Sequence, residues 1–324
     1  MEYRSLGRSG VKISPLTLGT MQFGWTADEK TSFDVLDAAY AAGINAIDTA
    51  DIYSRWIEGN PGGVAESIIG KWLRKNPEKR AQIILATKVR GQMGEGPNDE
   101  GLSRKHIFSA VEQSLERLGT DYIDLYQMHW PDEDTPIEET LRALDDLVRD
   151  GRVLYIGCSN YSAWRLMESL WTSDQCKLTN FISLQPHYNL VHRDEFEREL
   201  EDVCLNYGIG VIPYSPLAGG FLTGKYAGNQ TPPEGSRGAM SDRIQAYLKD
   251  PTSLSTLEIV KQIAQEREKS PSQVALRWLI SRPAVVSAII GPRDLKQLED
   301  NLGCLSVELT DEDMQRLDEG SAWS

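Results

Sequence analysis

Short apolar runs rich in β-branched residues alternate with longer amphipathic stretches along the chain. Apolar runs of this length predict buried strands, whereas the longer stretches have the spacing of amphipathic helices. The predicted strands are eight, at residues 16–20, 44–50, 83–88, 123–129, 153–159, 182–187, 210–215 and 286–291. The predicted helices follow them at residues 28–42, 65–76, 103–118, 136–150, 162–171, 194–207, 257–269 and 294–303.

Repeated strand–helix units predict a parallel sheet with helices outside it, in the α/β class. Eight units favour a closed (β/α)8 TIM barrel over an open doubly wound sheet, and we expect one barrel domain over residues 1–324. Residues 3–14 are predicted to form an N-terminal β-hairpin that closes the bottom of the barrel. An extra helix is expected at residues 271–281, and an irregular lid at residues 217–250.

Composition narrows the classes of partner. The formal net charge of −14 argues against nucleic acid, which is bound by clustered lysines and arginines. An anionic cofactor would need local cations. No leader-like segment and no long apolar stretch are evident, so we expect a cytoplasmic protein without membrane contact. The four cysteines, without a CxxC pair, and the scattered histidines predict neither a disulfide framework nor a metal site.

Polar side chains end most of the predicted strands, where a barrel enzyme places its active site. Lys88 and His129 end otherwise apolar strands, and Asp48 offers a carboxylate that would neutralise a buried ammonium. Tyr53 follows Asp48 in the next loop, where a nearby ammonium is expected to lower its pKa. An imidazole at His129 would hydrogen-bond a substrate carbonyl. The pattern predicts a proton-donating group built on these four side chains.

The chain resembles the aldo-keto reductase family from residue 18 to residue 303. The matching motifs are GINAIDTADIY at residues 43–53, ATK at 86–88, LERLGTDYIDL at 115–125, GCSN at 157–160 and YSPLA at 214–218. They occur in the family's order and at compatible spacings. The resemblance implies an enzyme that reduces aldehydes or ketones by hydride transfer from NADP(H). It also implies that Asp48, Tyr53, Lys88 and His129 are the catalytic tetrad, with Tyr53 as the general acid.

The resemblance further implies which residues bind the cofactor. Ser159, Asn160 and Gln185 would hold the nicotinamide carboxamide, and Tyr214 would stack on its ring. The remaining implied cofactor residues are Gly19, Thr20 and Asp48 near the strand ends, Ser215, Leu217 and Lys225 along the pyrophosphate, and Gly291, Arg293, Gln297 and Asn301 at the adenosine end. Some members carry a Lys-Ser pair where this chain has Gly291-Pro292, so Arg293 is the candidate contact for a 2′-phosphate.

Other functions remain open at this point. Potassium-channel beta subunits resemble the same family and bind NADP(H) without being enzymes, although this chain keeps His129 where they depart from the pattern. An isomerase or an aldolase with Lys88 as a Schiff-base nucleophile is another use of the same barrel. Trp25, Trp56 and Trp130 predict an aromatic pocket for a small carbonyl substrate, whose identity the sequence leaves open, as it does the oligomeric state.

Overall fold

The computed structural model describes residues 1–226 and 241–323. Its main sheet has eight parallel strands in the order β10-β3-β4-β5-β6-β7-β8-β9. The Val211 amide donates to the Ala284 carbonyl, and the Val286 amide donates to the Val211 carbonyl, so the two edges of the sheet meet. The predicted (β/α)8 barrel is confirmed. Its strands are β3 (Leu16–Gly19), β4 (Ala46–Asp48), β5 (Ile84–Val89), β6 (Ile123–Met128), β7 (Val153–Ser159), β8 (Phe181–Gln185), β9 (Gly210–Val211) and β10 (Ala288–Ile290).

Helices surround the barrel, and several of them begin at a side chain that caps the first turn. Ser103 accepts a hydrogen bond from the His106 amide, and Ser270 forms a capping box with Gln273 ahead of the extra helix predicted before β10. No helix of residues 1–226 and 241–323 is both long and apolar enough to cross a membrane. The helices are α1 (Glu29–Ala41), α2 (Val64–Lys75), α3 (Arg104–Leu118), α4 (Ile137–Arg149), α5 (Ala163–Cys176), α6 (Asp194–Glu197), α7 (Leu200–Tyr207), α8 (Asp242–Lys249), α9 (Pro251–Glu266), α10 (Pro271–Ile280), α11 (Leu295–Leu302) and α12 (Asp311–Gly320).

The N-terminal hairpin closes one end of the barrel, as predicted. Its strands β1 (Arg4–Ser5) and β2 (Lys12–Ile13) pair antiparallel. Leu6 and Ile13 are buried and form an apolar cluster with Ala46, Ala86, Leu125 and Ile212, which come from the barrel strands or follow them. Because this end is filled with apolar side chains, polar groups inside the barrel face the opposite, open end.

The irregular lid predicted at residues 217–250 is partly wrong. Residues 242–249 form α8, which begins at a Ser241 cap and buries Ile244 and Tyr247. With only two buried positions in eight residues, the hydrophobic pattern is too weak to distinguish this helix from a loop. Residues 227–240 of that predicted lid lie outside the described residues.

The extents of three predicted helices also differ from the structure, and the strand predicted at 210–215 is only Gly210–Val211. The helix predicted at 194–207 is two helices that are separated at residues 198–199. The helix predicted at 257–269 begins earlier, because Asp250 caps it and Pro251 occupies its first turn, where proline lacks only a hydrogen bond that is unmade anyway. The helix predicted at 162–171 continues to Cys176, and α12 was not predicted.

Gly7 in the hairpin turn provides a test of how the barrel bottom is closed. Its φ is +57°, and an added Cβ would lie 2.8 Å from the Gly208 carbonyl oxygen and collide with that of Ile182. We expect Gly7→Ala to lower the free energy of unfolding by at least about 2 kcal/mol, since left-handed strain and a steric clash add. Urea denaturation measures this loss. Gly10→Ala is the matched control, because a Cβ there meets nothing within 4 Å; equal losses in both variants would contradict the packing described.

Candidate active site

A cleft of about 810 Å³ opens at the carboxyl ends of the strands. Tyr53 and His129 line it, while Lys88 lies beneath its floor and is fully buried. All the residues predicted to bind the cofactor line this one cleft: Gly19, Thr20, Asp48, Ser159, Asn160, Gln185, Tyr214, Ser215, Leu217, Lys225, Gly291, Arg293, Gln297 and Asn301. The fold therefore brings the whole predicted set together.

The Lys88 ammonium is the centre of the site. Its Nζ donates to Asp48 Oδ2 at 2.5 Å, to the Thr49 carbonyl at 2.9 Å and to the Tyr53 hydroxyl at 2.8 Å. Burial lowers the pKa of Lys88, but Asp48 and Tyr53 outweigh that effect and raise it above its ordinary value. The side chain is therefore a permanent cation whose three N–H groups all have acceptors. One of those acceptors is the Tyr53 phenol.

The Tyr53 phenol stays protonated near neutral pH. Burial raises its pKa above the ordinary value, while the Lys88 ammonium opposes that rise. The expectation of a lowered pKa is thus correct for the effect of Lys88 and wrong for the net direction. The His129 ring lies 6.0 Å from the Tyr53 ring, centroid to centroid. Burial, followed by the Lys88 charge, holds the pKa of His129 well below its ordinary value, so the imidazole is neutral.

Two buried amides hold the second oxygen of Asp48. Gln127 Nε2 and Gln185 Nε2 each donate to Asp48 Oδ1 at 2.9 Å, and Gln185 Nε2 also contacts Gln127 Oε1 at 3.2 Å. Gln127 is fully buried on β6 and was not among the predicted site residues. Its only sequence signal is an amide in a strand that is otherwise mostly apolar.

Hydrogen bonds organise the wall beside Tyr53. The Ser159 hydroxyl donates to the Gln185 carbonyl at 2.7 Å, and Asn160 Nδ2 donates to the His129 carbonyl at 2.9 Å. The Tyr214 hydroxyl donates to Asn160 Oδ1 at 2.9 Å. Asn160 has a φ of +58°, a left-handed conformation that asparagine tolerates better than most residues. These bonds fix one amide and one aromatic ring at the same end of the cleft.

Two stacked histidine rings support the ring of Tyr214 on one face. His187 stacks on Tyr214 with ring centroids 5.2 Å apart, and His192 stacks on His187 at 4.0 Å. His192 pairs in turn with Glu195. The plane of the Tyr214 ring is therefore held by a hydroxyl contact on its edge and by stacking on its face.

Cationic side chains line the other parts of the cleft. Lys225 and Arg293 lie there as predicted, and the structure adds Arg243 and Lys296. Burial raises the pKa of the Tyr214 phenol, and the nearby Arg243 guanidinium opposes that rise. Sequence reasoning missed Arg243 because α8 was not predicted. It missed Lys296 because an exposed lysine in the first turn of a helix carries no distinguishing pattern.

The predicted tryptophans gather around Tyr53 and His129. Trp25 and Trp56 form an edge-to-face pair with ring centroids 5.5 Å apart, and Trp56 lies 6.3 Å from Tyr53. Trp130 packs on His129 at 4.6 Å and lines the cleft. Aromatic surface therefore borders the predicted proton-donating group, and Trp56 is half exposed.

The fold and the position of the cleft place the chain in the class of (β/α)8 barrel enzymes, which bind substrates at the carboxyl ends of their strands. Residues 15–322 match the model of the aldo/keto reductase family, and the chain belongs to that family. Family membership supports an oxidoreductase that acts on small carbonyl compounds.

Named relatives are similar along almost their whole lengths. The uncharacterized oxidoreductase YrpG of Bacillus subtilis is 38% identical over 98% of this chain and 95% of its own. Versiconal hemiacetal acetate reductase of Aspergillus parasiticus is 35% identical, with 98% and 96% covered. A probable voltage-gated potassium channel subunit beta of Oryza sativa is 38% identical, with 95% and 92% covered.

The buried His187 makes stability depend on pH. Burial, followed by the charges of His192 and Arg243, lowers the pKa of His187 to about 2. In the unfolded chain this histidine is protonated below about pH 6.5, whereas in the folded chain it stays neutral. The free energy of unfolding therefore falls as the pH drops below that value. From pH 6.5 to 5.0 we expect His187 alone to account for about 1.6 kcal/mol of lost unfolding free energy. Urea denaturation of wild type and His187→Gln at both pH values measures it; parallel losses in the two proteins would contradict it.

Proposed function

We propose that the protein reduces aldehydes or ketones to alcohols with NADP(H), using Tyr53 as the general acid. The observation that carries this proposal is the bridge from Lys88 to both Asp48 Oδ2 and the Tyr53 hydroxyl, on the floor of the cleft. A protonated phenol beside a permanent ammonium is equipped to release a proton, because the cation stabilises the phenolate that remains.

The shape and polarity of the cleft fit a nicotinamide dinucleotide. One end has the amides of Asn160 and Gln185 and the ring of Tyr214, which suit a carboxamide and a flat heterocycle. The cations of Lys225 and Arg293 suit phosphates, against the net negative charge of the chain. Gln22 Nε2 is buried with no partner among the described residues, and it lies beside Gly291, where a Cβ would collide with it. These features favour a bound polar ligand.

Each residue of the group has a distinct task in this mechanism. When bound, a reduced nicotinamide would supply the hydride for the carbonyl carbon. Tyr53 holds a proton at its hydroxyl and transfers it to the carbonyl oxygen, and Lys88 balances the phenolate charge. Neutral His129 offers a ring nitrogen to orient the carbonyl oxygen. Asp48 keeps Lys88 charged and aimed at the phenol.

Removing the Tyr53 hydroxyl tests the assigned acid. We expect Tyr53→Phe to lower kcat/KM for aldehyde reduction by about 10²- to 10⁴-fold, the usual contribution of general acid catalysis. The NADPH Kd, from a fluorescence titration, should stay within about twofold, since the phenol is not a proposed cofactor contact. Tyr126→Phe is the control, because that buried hydroxyl has no partner among the described residues. A Tyr53→Phe enzyme that reduces aldehydes at the wild-type rate would exclude the assignment.

Arg293 tests the preference for the 2′-phosphate. It lies in the cleft two residues after Gly291 and just before α11. We expect Arg293→Ala to raise the NADPH Kd about tenfold or more, since hydrogen bonds to charged groups are strong, and to leave the NADH Kd nearly unchanged. Arg142→Ala, at an exposed position of α4, is the control. Equal weakening of both cofactors would mean that Arg293 contacts something other than the 2′-phosphate.

A second candidate is a non-catalytic NADP(H)-binding regulatory subunit. Its support is the 38% identity to a probable potassium channel subunit beta. Against it, His129 is retained and lies beside Tyr53. Tight NADPH binding with no turnover across a panel of aldehydes, ketones and sugars would favour this second function.

A further inference from the structure

Gln127 occupies a position that the proposed catalytic group does not account for. It points into the barrel from β6 and is fully buried. Asp48, Gln127 and Gln185 come from alternate strands β4, β6 and β8, and their side chains meet in a closed set of hydrogen bonds. A buried amide is costly unless it is bonded, so its place here needs an account.

The orientation of the two amides follows from the carboxylate. An ionised Asp48 only accepts hydrogen bonds, so each glutamine must present Nε2 to Oδ1. Gln185 then uses its second N–H on Gln127 Oε1, at 3.2 Å. Among the described residues no donor reaches Gln185 Oε1, and Gln185 lines the cleft. The side-chain oxygen Oε1 of Gln185 is therefore available to accept a hydrogen bond from a ligand.

We propose that Gln127 is a positioning residue for the reduction: together with Gln185 it pins Asp48 Oδ1, so that Oδ2 stays aimed at Lys88 and the ammonium is shared with Tyr53. The assignment rests on the proposed function for its catalytic meaning. Gln185 is also the residue proposed to bind the carboxamide of the nicotinamide. The same contacts therefore link that binding site to Tyr53 through Asp48 and Lys88.

Two physical effects support this role. A carboxylate can rotate about its terminal torsion, and two amides on one oxygen prevent that rotation. The donors also spread the carboxylate charge. Asp48 raises the pKa of Tyr53 and Lys88 lowers it, so a less shielded Asp48 makes the phenol a weaker acid. The titratable groups that face Tyr53 are Lys88, Asp48, Tyr214 and His129.

Two length-matched variants separate positioning from packing. Gln127→Met keeps the volume and removes the donor; we expect kcat to fall about tenfold, as for loss of a hydrogen bond to a charged group, with the carbonyl KM within about twofold. Gln127→Glu repels Asp48 when ionised and can donate to it when protonated. Its kcat relative to wild type should therefore recover as pH falls, which a purely structural defect would not produce. Ser183→Ala is the control, because that buried barrel hydroxyl has no partner among the described residues.

A readout independent of turnover follows Tyr53 itself. In protein labelled with ¹³Cζ-tyrosine, the Tyr53 signal is assigned by its absence in Tyr53→Phe. We expect it to move in Gln127→Met, to return toward wild type in Gln127→Glu at low pH, and to stay in place in Ser183→Ala. An unmoved Tyr53 signal in folded Gln127→Met, with wild-type kcat, overturns the proposal. A moved signal in a protein without carbonyl turnover upholds the link from Gln127 to Tyr53 and instead ends the proposed reduction.

Discussion

The charge of Lys88, enclosed by protein on every side, is the constraint on which the rest of the site depends. An unpaired ammonium at that depth would cost several kcal/mol, so a carboxylate must lie against it. Asp48 is that carboxylate, and the buried amides of Gln127 and Gln185 satisfy its second oxygen. The other two N–H groups of the ammonium are donated to the Thr49 carbonyl and the Tyr53 hydroxyl. The same contacts that compensate the buried charge thus place an ammonium beside the phenol that we propose as the proton donor.

The two ends of the barrel are filled differently, and this difference makes the arrangement possible. The hairpin residues Leu6 and Ile13 fill one end with apolar side chains, so the buried polar groups collect near the other. Parallel strands deliver Asp48, Lys88 and Gln127 to that end although about 40 residues separate each from the next. Contacts between residues so far apart in sequence form slowly during folding. In the folded barrel, the register of the strands holds these residues together.

The strand ends and family motifs allowed the barrel to be predicted, and the residues that they proposed for proton donation and cofactor binding lie in or beneath one cleft. Periodicity could not find Gln127, because one amide in an apolar strand has no pattern. Arg243 was missed because its helix has only two buried positions. The net direction of the Tyr53 pKa was predicted wrongly because burial depends on walls that distant loops supply, and no local sequence feature measures burial. The sequence therefore predicted which side chains lie at the strand ends, but not how deeply each is buried or which groups surround it.

The proposed reaction is the transfer of a hydride from a nicotinamide cofactor to a carbonyl carbon in this cleft, with the protein supplying the proton. The most direct measurement is a single-turnover reaction of the wild-type protein with NADPH deuterated at the transferred C4 position and an aldehyde, followed by mass analysis of the product. We expect an alcohol that carries one deuterium on carbon, together with matching oxidation of the cofactor. Bound cofactor that stays reduced with every carbonyl compound, or an alcohol without deuterium on carbon, would contradict it.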